Sequence, residues 1–232
     1  MSTLITFDLD DTLWDTYPVL VRAEYAMEAW FENRFFGFSQ QFPLSVQKEI
    51  RKEIATKNAN ITATRLQLYI YMLKEFGLPS EEAGVMASSA LVHFNEWRQK
   101  VDFFPHVSEV LEALSQHYSL GVITNGNADV YHSYVGLGKY FDFVLRADQV
   151  NMVKPNADIF ELAAQKSKFD ISEMIHVGDH PEDDVSGALN AGAKSIWFNR
   201  HGARRWSEEW RLQPTAEVHS LLELPTAIQS IA

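Results

Sequence analysis

Two carboxylates stand two residues apart where a short apolar run turns acidic: Asp8 and Asp10, at the end of Leu4 to Asp10, with Asp11 and Thr12 directly after. On an extended backbone, residues two apart project to the same side, so this pair faces one place. Further along the chain, Thr124 and Asn125 close a second apolar run, Lys154 follows a third, and Asp179, Asp183 and Asp184 follow a fourth. Carboxylates gathered a few ångströms apart repel and raise one another's pKa unless a cation joins them. Asp8, Asp10, Asp179 and one of the adjacent pair Asp183 and Asp184 offer only oxygen ligands, which suits Mg2+ rather than zinc. With Mg2+ and Lys154 in place, a phosphate dianion can approach a carboxylate nucleophile that would otherwise repel it, and the chemistry that follows is phosphoryl transfer.

These residues need a scaffold that brings strand ends together. Leu4 to Asp10, Ser119 to Asn125, Phe143 to Asp148, Met174 to Asp179 and Lys194 to Asn199 are short, apolar and β-branched, as buried parallel strands are. Between them run helical patterns. Val107 to His117 puts Val107, Val110, Leu111 and Leu114 on one face, and Ala157 to Lys168 does so with Phe160, Leu162, Ala163 and Ala164. A third helix over Asp184 to Ala191 ends at Gly192, a C-cap glycine. Strands alternating with such helices predict an α/β fold with a doubly wound, Rossmann-like parallel sheet. Such a sheet binds its ligands at the carboxyl ends of the strands, where Asp8, Asp10, Thr124, Asn125 and Asp179 stand, with Lys154, Asp183 and Asp184 in the loops that follow.

From about Trp14 to Phe103 the alternation stops. Helical periodicity around Val19 to Phe35, Leu44 to Thr56, Ala63 to Phe76 and Glu81 to Trp97 predicts an all-helical insertion, and Pro105 marks the return to the core. The expected domains are therefore an α/β core, 1–13 and 104–232, and a helical domain, 14–103.

Composition narrows the partners. The 232 residues carry 31 acidic and 20 basic side chains, a net charge of −11, which disfavours nucleic acid and anionic lipid. With no cysteine there is no disulfide, thiolate metal site or catalytic thiol, which fits a reducing cytoplasm. No apolar run of about 18 residues and no leader pattern is read, so the expectation is a cytoplasmic chain with neither membrane nor nucleic-acid partner.

The segments FDLDDTLWD, ITNGN and HVGDHPEDDV, in this order with Lys154 between the last two, resemble the haloacid dehalogenase superfamily of phosphohydrolases. The helical insertion resembles the first type of cap domain in that superfamily, and the likeness spans essentially the whole chain. Within it, the sequence is most similar to bacterial flavin mononucleotide phosphatases, which also act on a phosphorylated ribitylaminouracil. The resemblance implies that Asp8 attacks phosphorus and becomes an aspartyl phosphate, while Asp10 protonates the leaving alcohol and then takes a proton from water. It implies that Thr124, with backbone amides around Asn125 and Gly126, holds the phosphate and that Lys154 neutralises it. Mg2+ would bind Asp8, the Asp10 backbone carbonyl and Asp179. Asp184, five positions after Asp179, matches the more frequent second acid, with Asp183 its competitor. Two residues depart from the pattern: Asp11 stands where many members have glycine, and His180 where serine or asparagine is usual. The implied partner is a small-molecule phosphate ester, met by a monomer or homodimer.

Plainer readings stand beside these. His176 reads as a buried strand residue holding one hydrogen bond rather than as a base. The aromatics Trp30, Phe31, Phe35, Phe36, Phe38 and Phe42 read as helix packing, with a substrate platform or a dimer contact as the other options. Trp14, directly after the first motif, and Arg65 in the insertion are the substrate-contact candidates, with Arg98 a further cation. Arg204, Arg205 and Trp206 are too short a basic stretch for nucleic acid. Three other activities share parts of the pattern: hydrolytic dehalogenation, which needs neither the acid at Asp10 nor a metal acid at Asp179; a sugar phosphomutase, which uses both aspartates; and a phospho-receiver signalling domain, which needs about half this length.

Overall fold

The run LITF forms strand β1, Leu4–Phe7, buried at every residue, as a central strand covered on both faces must be. The computed structural model describes residues 3–57, 60–207, 209–210 and 212–232, and there β1 is joined by β2, Ser119–Thr124, β3, Phe143–Arg146, β4, Met174–Gly178, β5, Lys194–Phe198, and β6, Ala216–Val218. All neighbours are parallel and the order is β3-β2-β1-β4-β5-β6. The winding reverses between β1 and β4, which opens a crevice at their carboxyl ends. The expected sheet is present. It has one strand more than the apolar runs mark: β6 is three residues, AEV, at the far edge.

The chain divides into two compact units, Met1–Asp15 with Asp102–Ala232, and Thr16–Val101. The second unit is helical: α1, Thr16–Glu32, α2, Phe38–Gln41, α3, Leu44–Ala55, α4, Ile61–Glu75, and α5, Ser80–Arg98. Helix α1 turns Val19, Ala23, Met27, Trp30 and Phe31 inward at helical spacing, and α5 answers with the small residues Ala83, Ala87 and Ala90. Asn60 caps α4 by accepting the Ala63 N–H at 3.0 Å. Gly37, at φ +84°, takes the left-handed turn that lets α2 fold back, and Glu32 accepts the N–H groups of Gly37 and Ser39. The aromatics form the core of this unit: Phe31 stacks on Phe38 at 4.5 Å, Trp30 and Phe42 are buried, and Phe36 stands out in solvent.

In the first unit, α6, Val107–Ser115, buries the four residues its periodicity marks. The third run gives way after Arg146 to a single turn, α7, Ala147–Val150. Helix α8, Ala157–Ser167, packs Ile159, Phe160 and Ala163 with Ile123 of β2 and Leu145 of β3. The expected helix after β4 is split into a π-helical turn, Pro181–Ser186, and α9, Gly187–Asn190, with Gly192 at φ +92° closing it. Helix α10, Leu224–Ile231, ends the chain. The seam between the units lies inside the expected 14–103: Trp14 bridges to Phe103, their rings 6.0 Å apart, which keeps both in the α/β unit. Among the described residues, no helix is long and apolar enough to cross a membrane.

Candidate active site

Asp8 continues β1, donating its N–H to Val177 at 2.9 Å, so its side chain is set by the sheet itself. The chain then turns sharply. Asp11 adopts φ +58°, a left-handed conformation that glycine reaches freely and aspartate better than most, which accounts for aspartate at a glycine position. From the end of β2, Thr124 accepts the Gly126 N–H at 3.0 Å. Asn125 uses its amide twice on Lys154, donating to its carbonyl and accepting its N–H, both at 2.9 Å. That clamp delivers the Lys154 ammonium, 3% exposed as a residue, to Asp8 at 2.7 Å and Asp184 at 2.5 Å.

Asp184 is held on every side. Its Oδ1 accepts from Lys154 and pairs with His176 Nε2 at 3.1 Å, and its Oδ2 accepts the His180 N–H at 2.8 Å. His176 Nδ1 meets Thr6 Oγ1 at 2.9 Å, so a buried polar chain runs from Thr6 on β1 through His176, Asp184 and Lys154 to Asp8. Gly178 makes room for it, since a Cβ there would run into the Asp184 carboxyl. His180 caps the π-helical turn by accepting the Asp183 N–H at 3.0 Å, the task that serine or asparagine performs at such a position. Asp183 turns outward to Asn125 at 3.3 Å.

Carboxylate oxygens of Asp8, Asp179 and Asp184 lie within 4.8 Å of one another. Burial, and then the neighbouring carboxylates, push Asp179 up to about 8. Burial likewise raises Asp8 to about 7, against the pull of Lys154. For Asp184 burial works upward too, yet Lys154 and His176 outweigh it and hold the group well below the usual carboxylate range. Burial keeps His176 neutral by lowering its pKa, and Lys154 stays charged because Asp184 and Asp8 overcome its own burial. Three carboxylates against the Lys154 ammonium and the Arg204 guanidinium, 3.7 Å from Asp179, leave an excess of negative charge, and an all-oxygen set in which Asp8 and Asp179 are raised is what a hard divalent cation relieves.

Residues 3–192 match the haloacid dehalogenase-like hydrolase family. The chain is a haloacid dehalogenase-like hydrolase. It is 33% identical over 228 residues to the 5-amino-6-(5-phospho-D-ribitylamino)uracil phosphatase YigB of Escherichia coli K12, covering 97% of this chain and 95% of that one. It is 30% identical over 203 residues to the glyceraldehyde 3-phosphate phosphatase of Pyrococcus abyssi, covering 85% and 82%. A crystal structure described as a 2-haloacid dehalogenase from Pseudomonas syringae pv. Tomato DC3000 superposes with a TM-score of 0.91 at 39% identity, over 100% of both chains. The family resemblance read from the motifs is thereby met.

In the hydrolase, Asp8, Lys154, Asp179 and Asp184 come together, with Thr124 and Asn125 shaping the adjoining loop. The Asp10 side chain is not among the clustered carboxylates; its Oδ1 instead accepts the Trp14 indole N–H at 2.8 Å. The two substrate-contact candidates, Trp14 and Arg65, both lie buried. Trp14 is fully buried, because backbone bridges to Asp10 and Phe103 fold it inward. Arg65 is buried in the helical unit, donating to Glu24 at 2.9 Å and lying 3.5 Å over the Phe94 ring, so its charge is already spent on packing. Arg98 is 2% exposed. Sequence reasoning gave His176 no link to Asp184, although a histidine eight residues before an acid across a tight turn is the signal. It also missed Trp197, whose indole donates to the Asp179 carbonyl at 2.8 Å, and Arg204, 3.7 Å from the Asp179 carboxylate.

Proposed function

We propose that the hydrolase is a Mg2+-dependent phosphatase that cleaves a small-molecule phosphate monoester through an aspartyl phosphate on Asp8. The observation that carries this reading is the cluster of Asp8, Asp179 and Asp184 with Lys154 as its one partnered ammonium. Asp8 and Asp179, with the Asp10 backbone carbonyl, would hold the metal; Asp184, with both oxygens engaged, would face it as the second acid. Bound there, Mg2+ supplies positive charge that offsets the carboxylates and the incoming phosphate. Asp8 attacks phosphorus, Lys154 neutralises the nucleophile and the phosphoryl oxygens, and Thr124 with the amides around Asn125 and Gly126 orients the group. Asp10 gives a proton to the departing oxygen and takes one back from the water that hydrolyses the aspartyl phosphate. The helical unit serves as the cap of the family.

A flavin or riboflavin-pathway phosphate is the favoured substrate, supported by the 33% identity to the ribitylaminouracil phosphate phosphatase. A second reading, 2-haloacid dehalogenation, draws on the 39% identity to a structure of that description. Carbon-centred displacement by Asp8 needs neither a cation at Asp179 nor an acid at Asp10, so the charge excess favours the phosphatase.

The deciding experiment is inorganic phosphate release from a panel of metabolite phosphates including flavin mononucleotide, with and without Mg2+, with Asp8→Asn as the blank. Mg2+-dependent release that vanishes in the variant is expected, and the kcat/KM ranking then names the substrate. Halide release from a 2-haloacid without Mg2+, and no phosphate release, would replace the phosphatase with the dehalogenase.

A further inference from the structure

The loop that follows β5 is built like the loop that carries Lys154. Asn199, buried just beyond β5, uses its side-chain amide twice on Arg204, donating to its carbonyl at 2.7 Å and accepting its N–H at 3.0 Å. Asn125 does the same for Lys154. The second clamp is anchored further, by the Asn199 amide on Glu217 at 2.7 Å and by the His219 ring on the Asn199 carbonyl at 2.9 Å. Each clamp fixes a cation: Lys154 on Asp8 and Asp184, and Arg204 beside Asp179 at 3.7 Å. The first serves the phosphoryl group; the second stands apart from it.

The β5 loop and Asp179 bound a cavity of about 220 Å3. Pockets that hold a whole drug-sized ligand run to roughly 300–1,000 Å3, so this one takes one end of a molecule. Its charged lining sets three carboxylates, Asp11, Asp15 and Asp179, against two guanidiniums, Arg200 and Arg204. Positive charge is not in excess there, so a second anionic group is not drawn in. A neutral group is, if it offers acceptors to the guanidiniums and donors to the carboxylates. The apolar lining is aromatic, Phe104, Trp197 and Phe198, and the Arg200 guanidinium stands 4.0 Å over the Phe104 ring. Aromatic faces and guanidinium planes are surfaces on which flat rings stack. Position sets the reach. Strand β4 lies between β1 and β5, so the β5 end stands two strand spacings, about 10 Å, from Asp8 at the end of β1. An extended chain advances about 3.3–3.6 Å for every three bonds, which makes about eight bonds from phosphorus to the ring.

We propose that this cavity is a leaving-group subsite: it takes a neutral, flat heterocycle with carbonyl acceptors, carried on an open-chain spacer of about eight bonds, and Arg200 and Arg204 are the residues that select it. On the phosphatase reading, which this assignment requires, part of the substrate selection therefore sits in the α/β unit itself.

Flavin mononucleotide and ribitol 5-phosphate carry the same chain on the phosphate and differ in the ring, so the ratio of their kcat/KM values reads the subsite. Wild type is expected to favour the flavin ester by at least about tenfold. Two substitutions address the cavity, and Arg204 is left in place because it also faces Asp179. Ala203→Phe fills the space, and Arg200→Gln removes the guanidinium over Phe104. Each is expected to lower the ratio about tenfold, and the ratio is independent of the folded fraction. A wild-type ratio near one, or a ratio that neither substitution lowers, would overturn the subsite and leave the phosphatase in place. So would release from neither ester while other phosphates of the panel are hydrolysed. No Mg2+-dependent release from any phosphate would overturn the phosphatase reading and the subsite with it.

Discussion

In each unit of the hydrolase a cation is buried against acid, Arg65 in one and Lys154 in the other, and the two arrangements differ in their charge balance. In the helical unit, Arg65 donates to Glu24 and to the Tyr69 hydroxyl and lies over Phe94, while Arg51 approaches the same Glu24 at 3.6 Å. One carboxylate meets two guanidiniums and an aromatic face, so nothing anionic is left over. In the α/β unit, Lys154 meets Asp8 and Asp184, Arg204 approaches Asp179 at 3.7 Å, and three carboxylates against two cations leave one negative charge over. A buried ion pair by itself marks packing; a buried pair with charge left unbalanced marks a place prepared for something else.

Removing each cation should separate the two roles. On the proposed phosphatase mechanism, Lys154→Met is expected to lower turnover by about 10^3-fold, since it strips the charge that would face both nucleophile and phosphate. Steady-state phosphate release checks this, and a loss under tenfold would place Lys154 with Arg65 as a packing residue. Arg65→Met is expected to cost about 1–3 kcal/mol in denaturant unfolding, with kcat of the folded protein within about twofold of wild type. A large kcat loss with stability intact would return Arg65 to the substrate-binding role its sequence position suggested.

The charge excess also fixes a pH dependence for the metal-free protein. Asp8 at about 7 and Asp179 at about 8 hold protons that the unfolded chain, at 3.8, has already released, so stability falls as pH rises through those values. His176, lowered from 6.5, opposes this only below 6.5, where the unfolded chain gains a proton that the folded one refuses. From pH 6.5 to 8 the expected loss is about 2 kcal/mol, read from urea midpoints, and saturating Mg2+ is expected to abolish the slope. A flat profile without Mg2+ would mean the cluster is not in excess. The smallest effect belongs to the balanced pair: Tyr69→Phe removes one acceptor, 3.3 Å from Arg65, and is expected to cost about 0.5–1 kcal/mol in the same unfolding assay.

The sheet was legible because its central strands are buried on both faces and read as unbroken apolar runs. Strand β6 was not, since Ala216, Glu217 and Val218 carry too few apolar residues to signal a strand. Asp8, Lys154 and Asp179 could be named as a set because each stands at a strand end or in the loop beyond one, whereas the choice of Asp184 over Asp183 came from the family resemblance. What a side chain does there depends on neighbours distant in sequence. Trp14 follows the first motif and was read as facing substrate, but the left-handed turn at Asp11 sends it inward. Asn125 was read beside the phosphate, and its side chain proves to be the clamp on the Lys154 backbone. Of the two departures from the family pattern, His180 accepts the Asp183 N–H as an N-cap serine or asparagine can, and Asp11 adopts the left-handed backbone that glycine reaches freely.

The aromatic edge of β5 has an optical consequence. Of the six tryptophans, Trp197, Trp206 and Trp210 form one edge-to-face cluster, Trp197 to Trp206 and Trp206 to Trp210 both at 5.0 Å, and Trp197 donates to the carbonyl of Asp179. Trp14 sits on Asp10. Two of the six emitting rings thus hydrogen-bond to Asp10 and Asp179, and two more pack on one of them, so cation binding at the carboxylate cluster is expected to change the intrinsic fluorescence of the unlabelled protein, readable in a cuvette before any substrate is known.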